Sequence, residues 1–193
     1  MGKIGLASVF GAILAAVSFS APGLQAADLS VNAAVSRSYE SSWAYDLYLK
    51  ASFEPFARFG SAWEASPQAY IGLGLWHKSG DYIPPPQERR GQDWSKRNFS
   101  VYGAVGLELA YVGESVRPYV AGFVGPSYVD EIDFLGRELG SHILIHARGN
   151  LGLGFGENFR HRLSLEYTHY SNAGTNAQND GLDNCGLSYS FSF

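Results

Sequence analysis

The sequence predicts an all-β protein, an eight-stranded antiparallel barrel that crosses a membrane. Apolar or aromatic residues alternate with small or polar ones along most of the chain, and this period of two is that of a β-strand. The composition of 12 Tyr, 12 Phe, 4 Trp and 23 Gly suits many short strands with an aromatic outer surface. After the N-terminal leader, no stretch approaches the run of about 18 apolar residues that a membrane helix needs.

The first residues are typical of an export signal. Lys3 supplies a positive start, residues 4–19 are mostly apolar or small, and Leu24-Gln25-Ala26 is an imperfect small-residue cleavage site. We expect cleavage after Ala26, with cleavage one residue later as the alternative, so that 27–193 forms a single barrel domain. Losing Lys3 makes the mature chain one charge more negative than the −4 of the full sequence. This balance argues against a nucleic-acid partner.

The first three predicted strands span about 29–37, 42–53 and 61–76. The first alternates only weakly. In the second, apolar residues from Trp43 to Phe53 share one face, and the opposite face carries Asp46, Lys50 and Ser52. The third alternates Ala69, Ile71, Leu73 and Leu75 with Tyr70, Gly72, Gly74 and Trp76.

The next three predicted strands span about 99–111, 117–129 and 139–155. The fourth alternates clearly, with Glu108 on its polar face, whereas Gly122, Gly125 and Pro126 make the fifth harder to phase. The sixth sets an apolar face against a polar face formed by His142, His146, Arg148 and Asn150.

The last two predicted strands carry the candidate site. In the seventh, Leu163, Leu165 and Tyr167 share a face with His169 and Ser171, because residues two apart in a strand point the same way. The eighth spans about 183–193. Its apolar face alternates with serines and comprises Asp183, Cys185, Leu187, Tyr189, Phe191 and Phe193.

An apolar stripe on every strand requires burial either in lipid or inside a sandwich. Polar groups opposite the stripe favour a membrane barrel, because closure pairs every backbone donor and acceptor within lipid. Eight strands leave an interior filled by side chains, which excludes a wide aqueous channel. We expect an interior polar plug of Asp46, Glu108, His142, His146, Arg148, Arg162 and Glu166, in which His142 and His146 form a hydrogen-bonded pair rather than a metal site.

Loop lengths predict the orientation of the barrel. Bacterial barrels of this type have short periplasmic turns and longer external loops. The longer connections are about 78–98 and 130–138, and the short ones are about 112–115 and 156–160. The seventh strand therefore runs outward, and His169 and Ser171 lie near its external end, on the lipid side.

The chemistry of these two residues is that of acyl transfer. Serine needs an adjacent base such as His169, and the base needs a third group to orient it. Asp183 is the candidate acid by face and by position on the neighbouring strand. Asn172 and the backbone around Gly174 could donate hydrogen bonds to an oxyanion.

Two other interpretations of the site stay open at the level of sequence. A His and a Ser two apart occur often by chance, and a histidine at the headgroup level can simply be hydrated. Asp180 could replace Asp183 as the acid, although Asn179-Asp180-Gly181 has the composition of a turn. Glu166 is disfavoured because its parity turns it into the barrel.

The motif His169-Tyr170-Ser171-Asn172-Ala173-Gly174, followed by the terminal strand, resembles the PagL-type lipid A deacylases. These are eight-stranded outer-membrane barrels that remove the 3-O-linked acyl chain from lipid A. The resemblance covers the whole mature chain in architecture, but its specific part is 169–193. It implies Ser171 as nucleophile, His169 as base, and Asn172 with Gly174 as the oxyanion hole. The third member of the family's triad is a glutamate, and the aligned position here is Asp183.

The resemblance implies an outer-membrane serine esterase that acts on lipid A of lipopolysaccharide, with no cofactor and no metal. External Arg89, Arg90, Lys96 and Arg97 could contact the lipid A phosphates. The alternatives are a non-enzymatic small barrel, such as an adhesin or structural protein, and an outer-membrane phospholipase that uses the same Ser and His. A homodimer is an assembly that the sequence leaves open.

Overall fold

The structure is a computed structural model that describes residues 26–38, 42–78, 97–134 and 137–193. Residues 1–25 of the predicted leader, and Arg89, Arg90 and Lys96 of the long loop, lie outside the described residues, whereas Ala26, the last residue of the predicted leader, is described.

Eight long strands form the wall, and their bounds follow the predicted segments closely. They are β1 Ala26–Ser38, β2 Ser42–Phe53, β4 Trp63–Lys78, β5 Arg97–Tyr111, β6 Arg117–Val129, β9 Ile143–Phe155, β10 His161–Ser171 and β11 Leu182–Ser192. Shorter elements lie in the connections: β3 Ala57–Phe59, β7 Asp133–Phe134, β8 Arg137–Glu138 and a 3₁₀ turn at Glu157–Phe159.

The eight long strands close into one antiparallel barrel, which confirms the predicted fold class. The order β2-β1-β11-β10-β9-β6-β5-β4 returns to β2 through the β2–β4 pairing, and β3 adds a short pairing to β4. Closure leaves no unpaired edge in the wall. Within the described residues, no helix is long and apolar enough to span a membrane.

The connections define two ends of the barrel. The short-turn end carries residues 54–62, 112–116 and 156–160. At the opposite end, here called the loop end, β1, β4, β6 and β10 finish, and its described connecting residues are 130–134, 137–142 and 172–181. At the loop end the sixth predicted strand begins later than expected, at Ile143 rather than at 139. Gly140 has a φ of +69°, outside the strand region, so residues 139–142 belong to the connection.

The prediction for His142 is wrong for the same reason. His142 precedes β9, is exposed, and lies with its Nδ1 2.8 Å from the carbonyl oxygen of Val129. His146 is fully buried and bonds instead to the hydroxyl of Tyr70, with 2.7 Å between Nε2 and Oη. The two histidines therefore form no pair, because only His146 belongs to the strand that faces the interior.

The outer surface of the wall is apolar, as the alternation predicted. Outward residues such as Leu47, Val105 and Leu165 are 49%, 65% and 58% exposed, while their strand neighbours of opposite parity are mostly buried. A soluble sandwich would bury this stripe. Its continuous exposure on a closed barrel is what a lipid environment requires.

Arg148 is the centre of the interior polar plug. Its guanidinium lies 3.3 Å from a carboxylate oxygen of Asp46 and 3.3 Å from one of Glu166. It also lies over the ring of Tyr48, 4.4 Å from the centroid. Tyr102 donates to Asp46 at 2.7 Å. Two buried carboxylates thus share one buried cation in the barrel interior.

A second ion pair lies nearer the short-turn end. Arg162 approaches Glu108 to 2.7 Å and covers the ring of Tyr119 at 3.8 Å, and Gln68 donates to Glu108 at 2.8 Å. Below this pair opens a polar cavity of about 450 Å³. The plug therefore fills the middle of the barrel, and the predicted interior positions other than His142 are confirmed as buried.

An apolar cluster packs inside the barrel at the loop end. Trp76 is its hub, with its ring centroid 5.1 Å from that of Tyr170 and 6.3 Å from that of Phe134. Leu139 and Leu182 complete it on the side of the connections. Because Tyr170 stands between His169 and Ser171 in sequence and points inward, this cluster fixes the segment of β10 that carries both residues.

Replacing Arg148 tests whether the plug holds the barrel together. Arg148→Ala leaves Asp46 and Glu166 buried without their cation, and we expect a loss of about 3–5 kcal/mol in the free energy of unfolding. The measurement is urea unfolding of the protein folded into lipid vesicles. The control is Arg58→Ala, which removes a largely exposed guanidinium 2.6 Å from Glu64 and should cost about 1 kcal/mol or less. Equal losses in the two variants would contradict the role of the plug.

Candidate active site

Strand register brings His169 and Asp183 together on the outer surface. The two residues are direct cross-strand partners of β10 and β11. The Nδ1 of His169 lies 2.8 Å from Oδ1 of Asp183, and the side chains are 40% and 33% exposed. A carboxylate only accepts, so Nδ1 carries the hydrogen. In the neutral ring this leaves Nε2 as the free base.

Tyr167 is a third member of this contact that sequence reasoning missed. Its hydroxyl donates to the same Oδ1 of Asp183 at 2.5 Å. The sequence placed Tyr167 on the outward face as an apolar residue only. The available signal was its diagonal position relative to Asp183 in the antiparallel pair, a distance that a tyrosine can span.

Ser171 occupies the next outward position on the same strand. It is the last residue of β10, pairs with Ile145 of β9, and is half-buried. Two residues of extended chain put its Cα about 7 Å from that of His169. His169 and Ser171 therefore share one face of β10, as the alternation predicted.

The chain turns sharply directly after Ser171. Ala173 and Gly174 have φ values of 53° and 77°, and Thr175 N–H donates to the carbonyl of Asn172 at 3.1 Å. A left-handed alanine is uncommon and is retained only where its surroundings enforce it. The turn of this connection is therefore at Ala173-Gly174, not at Asn179-Asp180-Gly181 as its composition suggested.

Asn172 holds that turn in place. Its buried side-chain amide donates to the carbonyls of Leu139 and Gln178 at 3.0 and 2.6 Å, and its Oδ1 accepts from Gly174 N–H at 2.8 Å. Its own backbone N–H donates to Oδ1 of Asn179 at 2.9 Å. Both predicted oxyanion donors thus lie beside Ser171, each bonded to a side-chain amide oxygen.

The residues of the segment 179–181 have separate roles. The carboxylate of Asp180 accepts a hydrogen bond from the backbone N–H of Glu138 at 2.8 Å and so binds the connection between β6 and β9. Gly181 has a φ of +67°, and a Cβ there would stand 3.3 Å from Cε1 of His169. The acid in contact with His169 is therefore Asp183, and glycine at 181 leaves room for the ring.

A serine, an imidazole and a carboxylate share the outward side of the barrel, and the imidazole and the carboxylate are in contact. A histidine with its Nδ1–H held by a carboxylate can take a proton on Nε2 and keep the resulting charge compensated. Cys185, the one cysteine of the chain, is exposed on the same face opposite Tyr167. It faces outward rather than packing into the protein.

Comparison with known proteins gives a consistent result. A family model described as lipid A 3-O-deacylase (PagL) matches residues 25–192. Lipid A deacylase PagL of Bordetella bronchiseptica is 27% identical over 139 residues, which are 70% of this chain and 68% of that protein.

A solved structure shares the fold. The crystal structure of the outer membrane enzyme PagL superposes with a TM-score of 0.70 at 21% identity, covering 84% of this chain and 98% of that one. Since the family model spans nearly all of the described barrel, this outer-membrane β-barrel belongs to the PagL family of lipid A 3-O-deacylases.

Proposed function

We propose that this protein is a serine esterase that hydrolyses the 3-O-linked 3-hydroxyacyl ester of lipid A, with Ser171 as nucleophile, His169 as base and Asp183 as the orienting acid. The observation that supports the triad best is the 2.8 Å contact between His169 and Asp183 on the outward face, one position from Ser171.

The reaction has two stages. Oγ of Ser171 attacks the ester carbonyl while Nε2 of His169 takes the hydroxyl proton. The tetrahedral intermediate then expels the 3-oxygen of the sugar, which receives that proton from His169. Water next attacks the acyl-serine, His169 again takes and returns a proton, and a 3-hydroxy fatty acid leaves. No cofactor enters the scheme.

We assign the oxyanion to the backbone at Asn172 and Gly174. In the free protein these N–H groups donate to neutral amide oxygens of Asn179 and Asn172. A developing oxyanion is a stronger acceptor than a neutral amide, so it can take over either N–H. Asn172 would keep its side-chain bond to Leu139, which holds the turn rigid during the exchange.

An aspartate suffices at position 183 because of register. Residues directly opposite in an antiparallel pair have their Cβ atoms about 4.5–5.5 Å apart, so a short carboxylate reaches the imidazole. Tyr167 then fixes the carboxylate by its second hydrogen bond to Oδ1. We propose Tyr167 as a positioning residue that holds this shorter acid in the productive rotamer.

The proposed orientation puts the loop end on the outside of the cell. The acyl esters of lipid A lie in the outer leaflet, and an outward site near the loop end would meet them there. Residues 1–26 would then be the export leader, and 27–193 the barrel domain.

The first test is replacement of the nucleophile. Ser171→Ala should lower kcat by about 10⁴-fold or more, because the acyl-enzyme cannot form. Mass spectrometry of lipid A from cells that express either form measures the loss of one hydroxyacyl group. Unchanged lipid A with hydrolysed phospholipid would favour a phospholipase, and no hydrolysis of either lipid by the unmodified chain would favour a non-enzymatic barrel.

The second test compares the two candidate acids. Asp183→Ala should reduce kcat by about 10²- to 10⁴-fold, because His169 loses the group that sets its tautomer. Asp180→Ala should retain most of the activity, since Asp180 bonds the 130–142 connection and not His169. Deacylation of purified lipopolysaccharide in detergent provides the rates. The opposite ranking would transfer the role to Asp180.

The third test concerns Tyr167. Tyr167→Phe removes only the hydroxyl, and we expect kcat to fall about tenfold with unchanged KM and unchanged thermal midpoint. The matched control is Tyr189→Phe, another outward tyrosine whose hydroxyl lies 2.6 Å from His161. An equal fall of kcat in both variants, or a rise of KM with unchanged kcat in Tyr167→Phe, would argue that Tyr167 only packs at the surface.

A further inference from the structure

A row of outward residues runs around the barrel next to the His169–Asp183 contact, one outward position nearer the short-turn end. Cross-strand pairing connects its members in turn from β10 to β5: Tyr167, Cys185, Arg37, Trp43, His77 and Arg97. All of them are exposed. The row therefore leads from the candidate site across β11, β1, β2 and β4.

Arg37 stands out within this row. It ends the outward apolar series of β1, after Leu29, Val31 and Val35, and its guanidinium lies over the ring of Trp43 at 5.7 Å from the centroid. Among the described residues it has no carboxylate partner. An arginine on the lipid face is costly at mid-membrane and tolerated at the interface, so Arg37 belongs at headgroup level.

Within this row, the arginines lie on the β1 side of Tyr167. On the other side of Tyr167 the row continues through Gly149 of β9 and Gly122 of β6, which carry no side-chain charge. Ser171 itself is flanked there by Ile145. At the level of this row, an anionic head group would therefore be attracted toward β1, where Arg37 lies.

We propose that Arg37, supported by Trp43, binds a phosphate group of lipid A and so orients the glycolipid over Ser171. This inference rests on the proposed function. Two strand spacings and two residues of rise put the Cα atoms of Arg37 and His169 about 12 Å apart. At that distance, the Arg37 guanidinium can contact a phosphate on the sugar while the ester of the same sugar is at Ser171. The parallel N–H groups of a guanidinium can bind two phosphate oxygens at once. The ring of Trp43 beneath the Arg37 guanidinium limits the rotation of that group.

The experiment compares Arg37→Gln and Arg37→Lys with the unmodified chain in detergent micelles. The substrates are purified lipid A and the same lipid A after removal of its phosphates. For phosphorylated lipid A we expect Arg37→Gln to raise KM about tenfold with kcat unchanged, and Arg37→Lys to lie between. For the dephosphorylated substrate the three proteins should have equal KM. The matched control is Arg160→Gln, an exposed arginine at the short-turn end, which should change neither substrate's KM.

Other outcomes would overturn the proposal. An equal rise of KM for both substrates in Arg37→Gln means that Arg37 does not bind the phosphate. If phosphatidylglycerol added to the micelles removes the difference between Arg37→Gln and the unmodified chain, Arg37 binds phospholipid headgroups instead. These results leave the esterase assignment intact, because that assignment fails only if the unmodified chain does not deacylate lipid A or if Ser171→Ala still does.

Discussion

Every wall strand of this barrel separates a polar interior from an apolar exterior, and the rest of the structure depends on that constraint. The backbone is satisfied by closure, so the side chains are free to alternate strictly by parity. A polar side chain on the outer face lies in an apolar environment and is not satisfied by the backbone pairing that closes the barrel. The outward His169, Asp183 and Ser171 are therefore the residues that we propose for a site on the outside of the barrel, where an acyl ester in the membrane could be reached.

Two buried clusters support that outer surface from within. Arg148 ties Asp46 and Glu166 together across the barrel, and the Trp76 cluster packs against Tyr170 from within. A shallow site on a sheet surface cannot enclose its substrate in a cleft. The positions of its residues must therefore be held by the strands themselves. The Arg148 contacts and the Trp76 cluster hold those strands from the inside.

The site also shows how register replaces side-chain length. In the PagL family, to which this chain belongs, we expect a glutamate as the third member of the proposed triad. Here Asp183 stands directly opposite His169, so one fewer methylene still gives a 2.8 Å contact, and Tyr167 occupies the same carboxylate oxygen. The left-handed Ala173-Gly174 turn ends β10 beside Ser171, and Asn172 secures it through four hydrogen bonds of its side chain and backbone N–H.

The sequence alone predicted the barrel, from its period-two alternation, its composition and the lack of a run long enough for a membrane helix. The alternation also predicted the parity of nearly all strands and the common face of His169, Ser171 and Asp183, because side-chain direction in a strand is a local property. Alternation cannot report where a strand begins, so His142 was assigned to the interior although Gly140 delays β9 until Ile143. It also cannot report which residues meet across strands. The bond of Tyr167 to Asp183, the role of Asn172 in the turn, and the row from Tyr167 to Arg37 depend on register, which only the closed sheet decides.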